Sequence, residues 1–358
     1  MSTYVAVLTP GFAVDEADTN CVPALQDLLL SSRTRAPGVR HTVFSLRYPH
    51  RRQRYSWHGI EVFPSGGREA LFPAIVPSWA RLVAGFARAA RRSPVDLIHS
   101  FWLGECAMLG ELLSRCWRVP HVVTLMGQDV VGRNRYTRLL RSRRTVFVAV
   151  SEYQRRQLLK HSGCDVRHVI PWGLPELEDA EAGTRDIDIL GAGSLTDVKD
   201  FETFVHVVSL VRTSRPMLVC RIAGDGPNRA RLEAKARSLG LADAVRFEGR
   251  LPREEVLALM RRSRVLLHTS RFESFGLVFA EALACGARIV SRDVGIAERG
   301  PAWFVGDDPQ EMAAAILRFL DEPNAPKPVV HSIERAVLAY SNLYRTLCAR
   351  EPSAVTAE

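Results

Sequence analysis

Ser270-Arg271-Phe272-Glu273-Ser274-Phe275-Gly276-Leu277-Val278-Phe279-Ala280-Glu281-Ala282 is the stretch on which the fold turns. Before it, Val265-Leu266-Leu267-His268 is a short apolar run that reads as a buried strand. A loop turns at Glu273, and a helix is predicted from about Gly276 over 277–284. This is one strand-loop-helix unit, with its loop at the strand's C-terminal end. Free backbone N–H groups at such a helix start suit a diphosphate, and Gly276 permits close approach of the backbone. Glu281 lies eight residues after Glu273, inside the helix, where it can accept from ribose hydroxyls while Glu273 faces a sugar. A capping acid followed by a solvated helix acid is the plainer alternative.

The same alternation runs outward in both directions. Strands are predicted at 5–9, 41–46, 59–63, 96–99, 119–125, 145–150 and 169–170, with helices at 23–30, 77–90, 106–117 and 152–161 between them. The pattern restarts with strands at 187–191, 217–222, 245–247, 265–268 and 288–291. Helices at 201–211, 229–239, 252–260, 277–284 and 312–319 accompany them. An α/β fold follows, with two Rossmann-like, doubly wound domains and ligand binding at the strands' C-terminal ends. The expected domains are 1–170 and 171–325, with the boundary near Pro171-Trp172-Gly173-Leu174-Pro175. A final segment, 326–358, follows a Pro-rich stretch and holds a helix over 331–348 that is placed to cross back to the first domain.

The 358 residues are 47% hydrophobic and 24% charged, enough apolar material for two cores. No window is apolar enough to span a membrane, and the start reads as a strand rather than a signal peptide. The seven Cys are scattered without a CxxC pair, which points to a reducing, cytoplasmic setting and away from a structural zinc site. The net charge of +9 is unevenly placed: residues 1–170 hold 24 Arg or Lys against 12 Asp or Glu, whereas 171–358 hold 24 against 27. Arg133, Arg135, Arg138, Arg141, Arg143 and Arg144 cluster among Tyr136, Leu139 and Leu140. Such a patch suits anionic lipid or a phosphorylated acceptor, with a solvated face as the alternative; no nucleic-acid motif accompanies it. A second segment, Leu71-Phe72-Pro73-Ala74-Ile75-Val76-Pro77-Ser78-Trp79, precedes Arg81, Arg88, Arg91 and Arg92. It reads either as a contact with the inner face of an anionic membrane or as a buried interdomain helix.

Taken with its neighbours, the opening stretch resembles the donor-binding Glu-x7-Glu motif of retaining glycosyltransferases of GT-B architecture, specifically glycosyltransferase family 4. Leu190-Gly191-Ala192-Gly193-Ser194-Leu195 followed by Lys199 is similar to that family's glycine loop and phosphate-binding lysine. Ala223-Gly224-Asp225-Gly226-Pro227 is similar to its Gly-Asp-Gly-Pro turn, Phe247-Glu248-Gly249 to the segment beside the base, and Pro171-Trp172-Gly173 to its linker turn. The resemblance extends over nearly the whole chain. It implies a UDP- or GDP-sugar donor on the second domain, a carbohydrate, glycolipid or small-molecule acceptor on the first, and no metal or other cofactor. It also implies site roles. Glu281 holds the ribose, Lys199 meets the leaving diphosphate, Glu273 contacts the sugar, and the backbone at Phe275, Gly276, Leu277 and Val278 holds phosphate and sugar hydroxyls. Gly193, Ser194, Gly224, Gly226 and Phe247 line the nucleotide, and Gly11 falls near the phosphates. Asp186-Ile187-Asp188 matches a metal-binding Asp-x-Asp pattern but opens a strand away from these loops.

Three departures stand out. Ser194 replaces a frequent Arg, Asp200 follows Lys199 where Gly is usual, and Met126-Gly127-Gln128-Asp129 carries Met where the family has His. Met donates no hydrogen bond. His99 is the candidate replacement, and Asp129 is expected to orient an acceptor hydroxyl or position its loop. The polar run 15–20 is expected to line the acceptor site or to be an ordinary surface loop. The leading reading is a retaining transferase for a hexosyl-type sugar. The alternatives are a related phosphorylase or epimerase, or a degenerate sugar-nucleotide-binding scaffold protein.

Overall fold

Two β-sheets organise the chain, each with strands in the doubly wound order of an α/β protein. The computed structural model describes residues 2–132, 134–140, 145–176, 184–322 and 331–349. The chain divides into two units: one runs to Pro175 and resumes at Ser332, and the other is Glu176–His331.

The first unit holds strands β1 (Thr3–Gly11), β2 (Val39–Tyr48), β3 (Tyr55–Trp57), β4 (Ile60–Pro64), β5 (Leu97–Phe101), β6 (His121–Thr124), β7 (Thr145–Ala149) and β8 (His168–Val169). Their order across the sheet is β3-β4-β2-β1-β5-β6-β7-β8, parallel except for the β3–β4 hairpin. Helices α1 (Pro23–Arg35), α2 (Val76–Arg92), α3 (Glu105–Trp117), α4 (Arg135–Leu139) and α5 (Glu152–Ser162) connect them. β3 falls in a polar stretch that carries no strand pattern; it forms because Trp57 buries its ring edge-on to Phe12, 4.9 Å between centroids. α2 buries Leu82, Phe86 and Ala89 against Phe44 and Phe63, the leucine and the phenylalanine each contributing roughly 2 kcal/mol by burial.

The second unit is all parallel. Its strands are β9 (Ile187–Ala192), β10 (Cys220–Ala223), β11 (Val245–Gly249), β12 (Ser263–His268), β13 (Arg288–Ser291) and β14 (Trp303–Val305), in the order β11-β10-β9-β12-β13-β14. Helices α6 (Phe201–Ser214), α7 (Arg229–Ser238), α8 (Arg253–Arg262), α9 (Leu277–Ala284) and α10 (Pro309–Asp321) cover it. Its core joins Ile189, Phe204, Val208, Ile222, Leu267, Ile316 and Phe319.

The last helix, α11 (Ile333–Ala349), belongs to the first unit and contacts α1. The turn expected at the boundary is what ties it there. A Cβ on Gly173 would lie 2.1 Å from the Ser332 carbonyl carbon, and Ile333 N–H donates to the Leu174 carbonyl at 3.0 Å. The units divide after Pro175, at the end of the stretch 171–175, and the segment from Ser332 belongs to the first unit. The Pro-rich stretch 323–328 lies outside the described residues.

Candidate active site

Four loops gather at the C-terminal ends of β9, β10, β12 and β13, and close backbone contacts lock them together. Gly193 N–H donates to the Ala223 carbonyl at 3.0 Å, and Leu195 N–H to that of Asp225 at 3.0 Å. The two glycine turns press so closely that a Cβ on Gly224 would lie 1.8 Å from the Gly193 carbonyl oxygen, and Gly224 has φ 152°. Only glycine fits there. Gly226 is packed likewise against the Leu195 backbone, at 2.5 Å. The third loop joins through Arg271 N–H to the Val198 carbonyl, 2.8 Å, and the fourth through Ile296 N–H to the Phe275 carbonyl, 2.9 Å.

At the centre of these loops stands Glu273. One of its carboxylate oxygens, Oε1, is ion-paired to Lys199 Nζ and lies 2.8 Å from His268 Nε2. The glutamate and lysine side chains are 13% and 23% exposed, so the pair is shielded but reachable. Burial alone would raise the Glu273 carboxyl; Lys199 and His268 outweigh it and hold it down to about 2. Burial pushes His268 below the usual histidine range despite Glu273, so the ring is neutral and its Nε2 carries the proton it donates. Sequence reading missed His268. Its signal was a polar residue ending an apolar strand, five positions before Glu273.

Three residues on, Gly276 takes a left-handed conformation, φ 79°, at the head of α9, and no side chain caps that helix start. Phe279 N–H donates to the Gly276 carbonyl at 2.9 Å, and the N–H groups of Leu277 and Val278 are those that face solvent or a ligand. Phe275 is buried beneath this turn, and Leu277 and Val278 open the helix. Inside α9, the Glu281 carboxylate accepts from Arg253 Nε of α8 at 2.8 Å. Arg253 was not anticipated from the sequence. Ser194 is exposed on the glycine loop, and Phe247 lies in the edge strand β11, where Glu248 is held by Arg221 at 3.0 Å.

The Lys199-Asp200 departure has a structural explanation. Asp200 adopts φ 48°, ψ 47°, the region that favours glycine and tolerates Asp. Its carboxylate earns the position by capping α6 at Thr203 and by accepting from Arg292, 2.8 Å, and Arg271, 3.1 Å. Burial would raise this carboxyl too, yet Arg292, Thr203 and Arg271 keep it below the usual range.

In the first unit, Asp129 fastens its loop. Its carboxylate accepts from the N–H groups of Leu103, 2.8 Å, Gly127, 2.8 Å, and Met126, 3.3 Å. Burial nevertheless raises its carboxyl above the usual value, because those bonds offset only part of the desolvation. Met126 stands partly exposed on that loop.

His99 is a correction. It is fully buried under α11, with Nδ1 2.6 Å from the Tyr344 hydroxyl and Nε2 2.7 Å from Thr124 Oγ1. Both ring nitrogens are spent in the core, so it cannot replace the missing loop histidine. Gly11 ends β1 opposite Tyr48. The acids after it knit their own loop: Asp15 accepts from Ala17 N–H and Asp18 from Val14 N–H and the Tyr48 hydroxyl.

Of the arginine cluster, Arg135 and Arg138 are exposed on α4, while Arg133, Arg141, Arg143 and Arg144 lie outside the described residues. Asp186 pairs with Arg262, and Asp188 accepts from Val219 N–H. Among the described residues, no group of three or more His, Cys, Asp or Glu could hold a metal ion, and no helix is long and apolar enough to cross a membrane.

Two family models match the chain: glycosyl transferases group 1 over residues 176–334, and the glycosyl transferase 4-like domain over 28–173. The glycogen synthase of Mycobacterium tuberculosis is 31% identical over 150 residues, which is 40% of this chain and 36% of the relative. The match thus spans about a third of that relative's length. Sucrose-phosphate synthase from Thermosynechococcus elongatus superposes with a TM-score of 0.75 at 20% identity, covering 96% of this chain and 99% of the other. Anabaena HepE, solved in complex with UDP and glucose, gives 0.67 at 19% identity, covering 96% and 95%. These likenesses are of the GT-B fold.

Proposed function

Since the chain belongs to the group 1, GT4-type glycosyltransferases, we propose that it moves a hexosyl-type sugar from a UDP- or GDP-sugar to a hydroxyl acceptor with retention of anomeric configuration. One observation carries this reading: a buried carboxylate, Glu273, held by Lys199 and His268 three residues before an uncapped, glycine-headed helix. A sugar diphosphate is the ligand that such a pairing of cation, helix start and carboxylate suits.

In this reading the diphosphate lies against the N–H groups that open α9, and Lys199 stabilises the charge that grows on it as the glycosidic bond breaks. Glu273 accepts from hydroxyls of the transferred sugar, and its rigidity comes from His268. Glu281, oriented by Arg253, accepts from the ribose. The diphosphate oxygen released on the donor face takes the proton of the attacking acceptor hydroxyl, so the new bond forms on the face the nucleotide leaves. Acceptor binding is assigned to the first unit, where Asp129 sets the shape of the Met126 loop. The complex of HepE with UDP and glucose supports a UDP-sugar as the first donor to try.

The test begins with calorimetric binding of nucleoside diphosphates and their sugar conjugates to the full chain. Release of nucleoside diphosphate and the proton coupling of the new anomeric centre follow. Selective binding of one nucleotide and an α-linked product from an α-linked donor are expected. An inverted product would sink the retaining mechanism. Binding without any product across a broad acceptor panel would favour a sugar-nucleotide-binding protein.

A further inference from the structure

The first unit presents a face that donor chemistry does not use. Leu71 and Phe72 are 76% and 72% exposed, side by side at the tip of the loop leading into α2. The exposed side of α2 continues from them through Val76, Ala80 and Ala84 to Arg88, Arg91 and Arg92. These fall at helical spacing, so they share one face over a helix about 25 Å long. The opposite side, Leu82, Phe86 and Ala89, is buried in the core.

Positive charge predominates around this tip. Residues 51–92 contain eight Arg against Glu61 and Glu69, and α2 contains no acid at all. Glu61 is already paired with Arg54, 3.5 Å away. Arg52 packs its side chain beside Gly66 and Arg68 stands exposed three residues before Leu71, so both flank the tip. Arg81 lies close enough to Arg52 that burial and this like charge both lower its hold on a proton. Guanidinium groups gathered without matching acids call for an anionic partner.

We propose that this face docks the protein on an anionic lipid bilayer, Leu71 and Phe72 entering the headgroup boundary while Arg52, Arg68, Arg88, Arg91 and Arg92 meet lipid phosphates. Two protruding apolar side chains are too few for a protein interface, which needs roughly 800 Å² per partner. They are suited to a surface bound by two weak signals together, shallow insertion and electrostatic attraction. The proposal is independent of the donor reading, since lipid binding requires no turnover.

The experiment is flotation of the full chain with vesicles of phosphatidylcholine, alone or mixed with phosphatidylglycerol, at low and high salt. The expected result is binding to the mixed vesicles alone, weakened by salt. It should weaken on the order of tenfold or more in Leu71→Ser/Phe72→Ser, and comparably in Arg52→Glu/Arg68→Glu. All four positions are exposed, so melting temperature and circular dichroism should match the parent and certify the fold. If one double variant fails to fold, the other still decides. Absence of binding to the mixed vesicles, or binding that neither variant weakens, overturns the proposal. So does a change in sedimentation without lipid in either variant, which would assign the face to self-association.

Discussion

His99 and His268 invite comparison. Each lies in a parallel strand, His99 midway along β5 and His268 at the end of β12; each is buried, and each is driven below the usual histidine range chiefly by that burial. Their partners differ. His99 bonds to Tyr344 and Thr124, Thr124 bonds to Tyr340, and the chain of contacts closes beneath α11. His268 bonds to a carboxylate that also pairs with Lys199, and that carboxylate sits three residues from an uncapped helix start. A perturbed titratable group therefore marks a site here only where its network ends on a charge a ligand can reach; where it ends in tyrosine hydroxyls and apolar rings, it holds a helix down.

The strongest way to break this contrast is Lys199→Ala. It leaves Glu273 buried with His268 as its remaining neutral donor, and removes the cation assigned to the diphosphate. Turnover should fall about 10²- to 10³-fold, the usual cost of removing one transition-state charge contact. Holding the Glu273 carboxyl near 2 corresponds to about 3 kcal/mol, so stability should drop as well. Nucleoside diphosphate release measured on the folded fraction separates the two effects. Turnover within a factor of two of the parent would remove Lys199 from the chemistry.

The first unit's histidines give the next effect, read by pH. Burial pushes His41 down to about 4, and its Nδ1 finds no partner among the described residues. The unfolded chain, with histidine near 6.5, binds that proton first. Stability from keeping His41 neutral is therefore complete above about pH 6.5 and is lost as pH falls towards 4, by about 3 kcal/mol. Glu273 acts lower: its contribution holds above the ordinary carboxylate range and is lost only as pH falls towards 2. A melting curve against pH should thus fall between 6.5 and 4.5 in the parent and fall less steeply in His41→Leu, the slope that remains coming from the other histidines that burial pushes down, His99, His121 and His268. Superimposable profiles would show that His41 is not the group responsible.

How much of this was legible in the sequence follows from what kind of signal each feature leaves. Strands such as β1 and β12 stand out because burial on both sides writes a continuous apolar run, Val5–Leu8 and Val265–Leu267, and the helix Leu277–Ala284 is apolar but for Glu281. β3 and β14 leave no such run, being three residues each and held by single tryptophans. Glu273, Lys199 and Glu281 were singled out through the resemblance of their segments to a family's motifs; their spacing alone left a capping acid and solvated side chains as the plainer reading. Arg253, Arg292 and His268 were not, because their roles come from contacts up to 92 residues apart, or from a side-chain direction that a linear pattern does not encode. The false lead, His99, came from the same limit: a polar residue near a strand's C-terminal end is either at a site or beneath a helix, and only the position of α11 separates the two.

His268→Leu sharpens the contrast from the second unit's side. Losing one donor to Glu273 should lower turnover about tenfold, in line with a buried, charge-assisted hydrogen bond. His268→Asn, which can still donate, should recover part of that. Affinity for the bare nucleoside diphosphate should move little in either, since the hydrogen bond that His268 makes goes to the carboxylate assigned to the sugar. Equal loss of nucleotide binding would mean that His268 supports the loops in general.

The smallest effect is expected from His99→Gln, and it is the most pointed. The amide can replace both hydrogen bonds, to Tyr344 and to Thr124, but cannot take up or release a proton. Ring contacts with Phe101, 4.1 Å between centroids, are lost, so the melting temperature should fall by several degrees. Turnover of the folded protein and its pH dependence should stay within about twofold of the parent, because a side chain closed off beneath α11 touches neither donor nor acceptor. A turnover loss as large as that of Lys199→Ala, at unchanged stability, would put His99 back among the catalytic residues. It would require α11 to lift from the sheet during the reaction, exposing the Tyr340 and Tyr344 hydroxyls that now hold it in place.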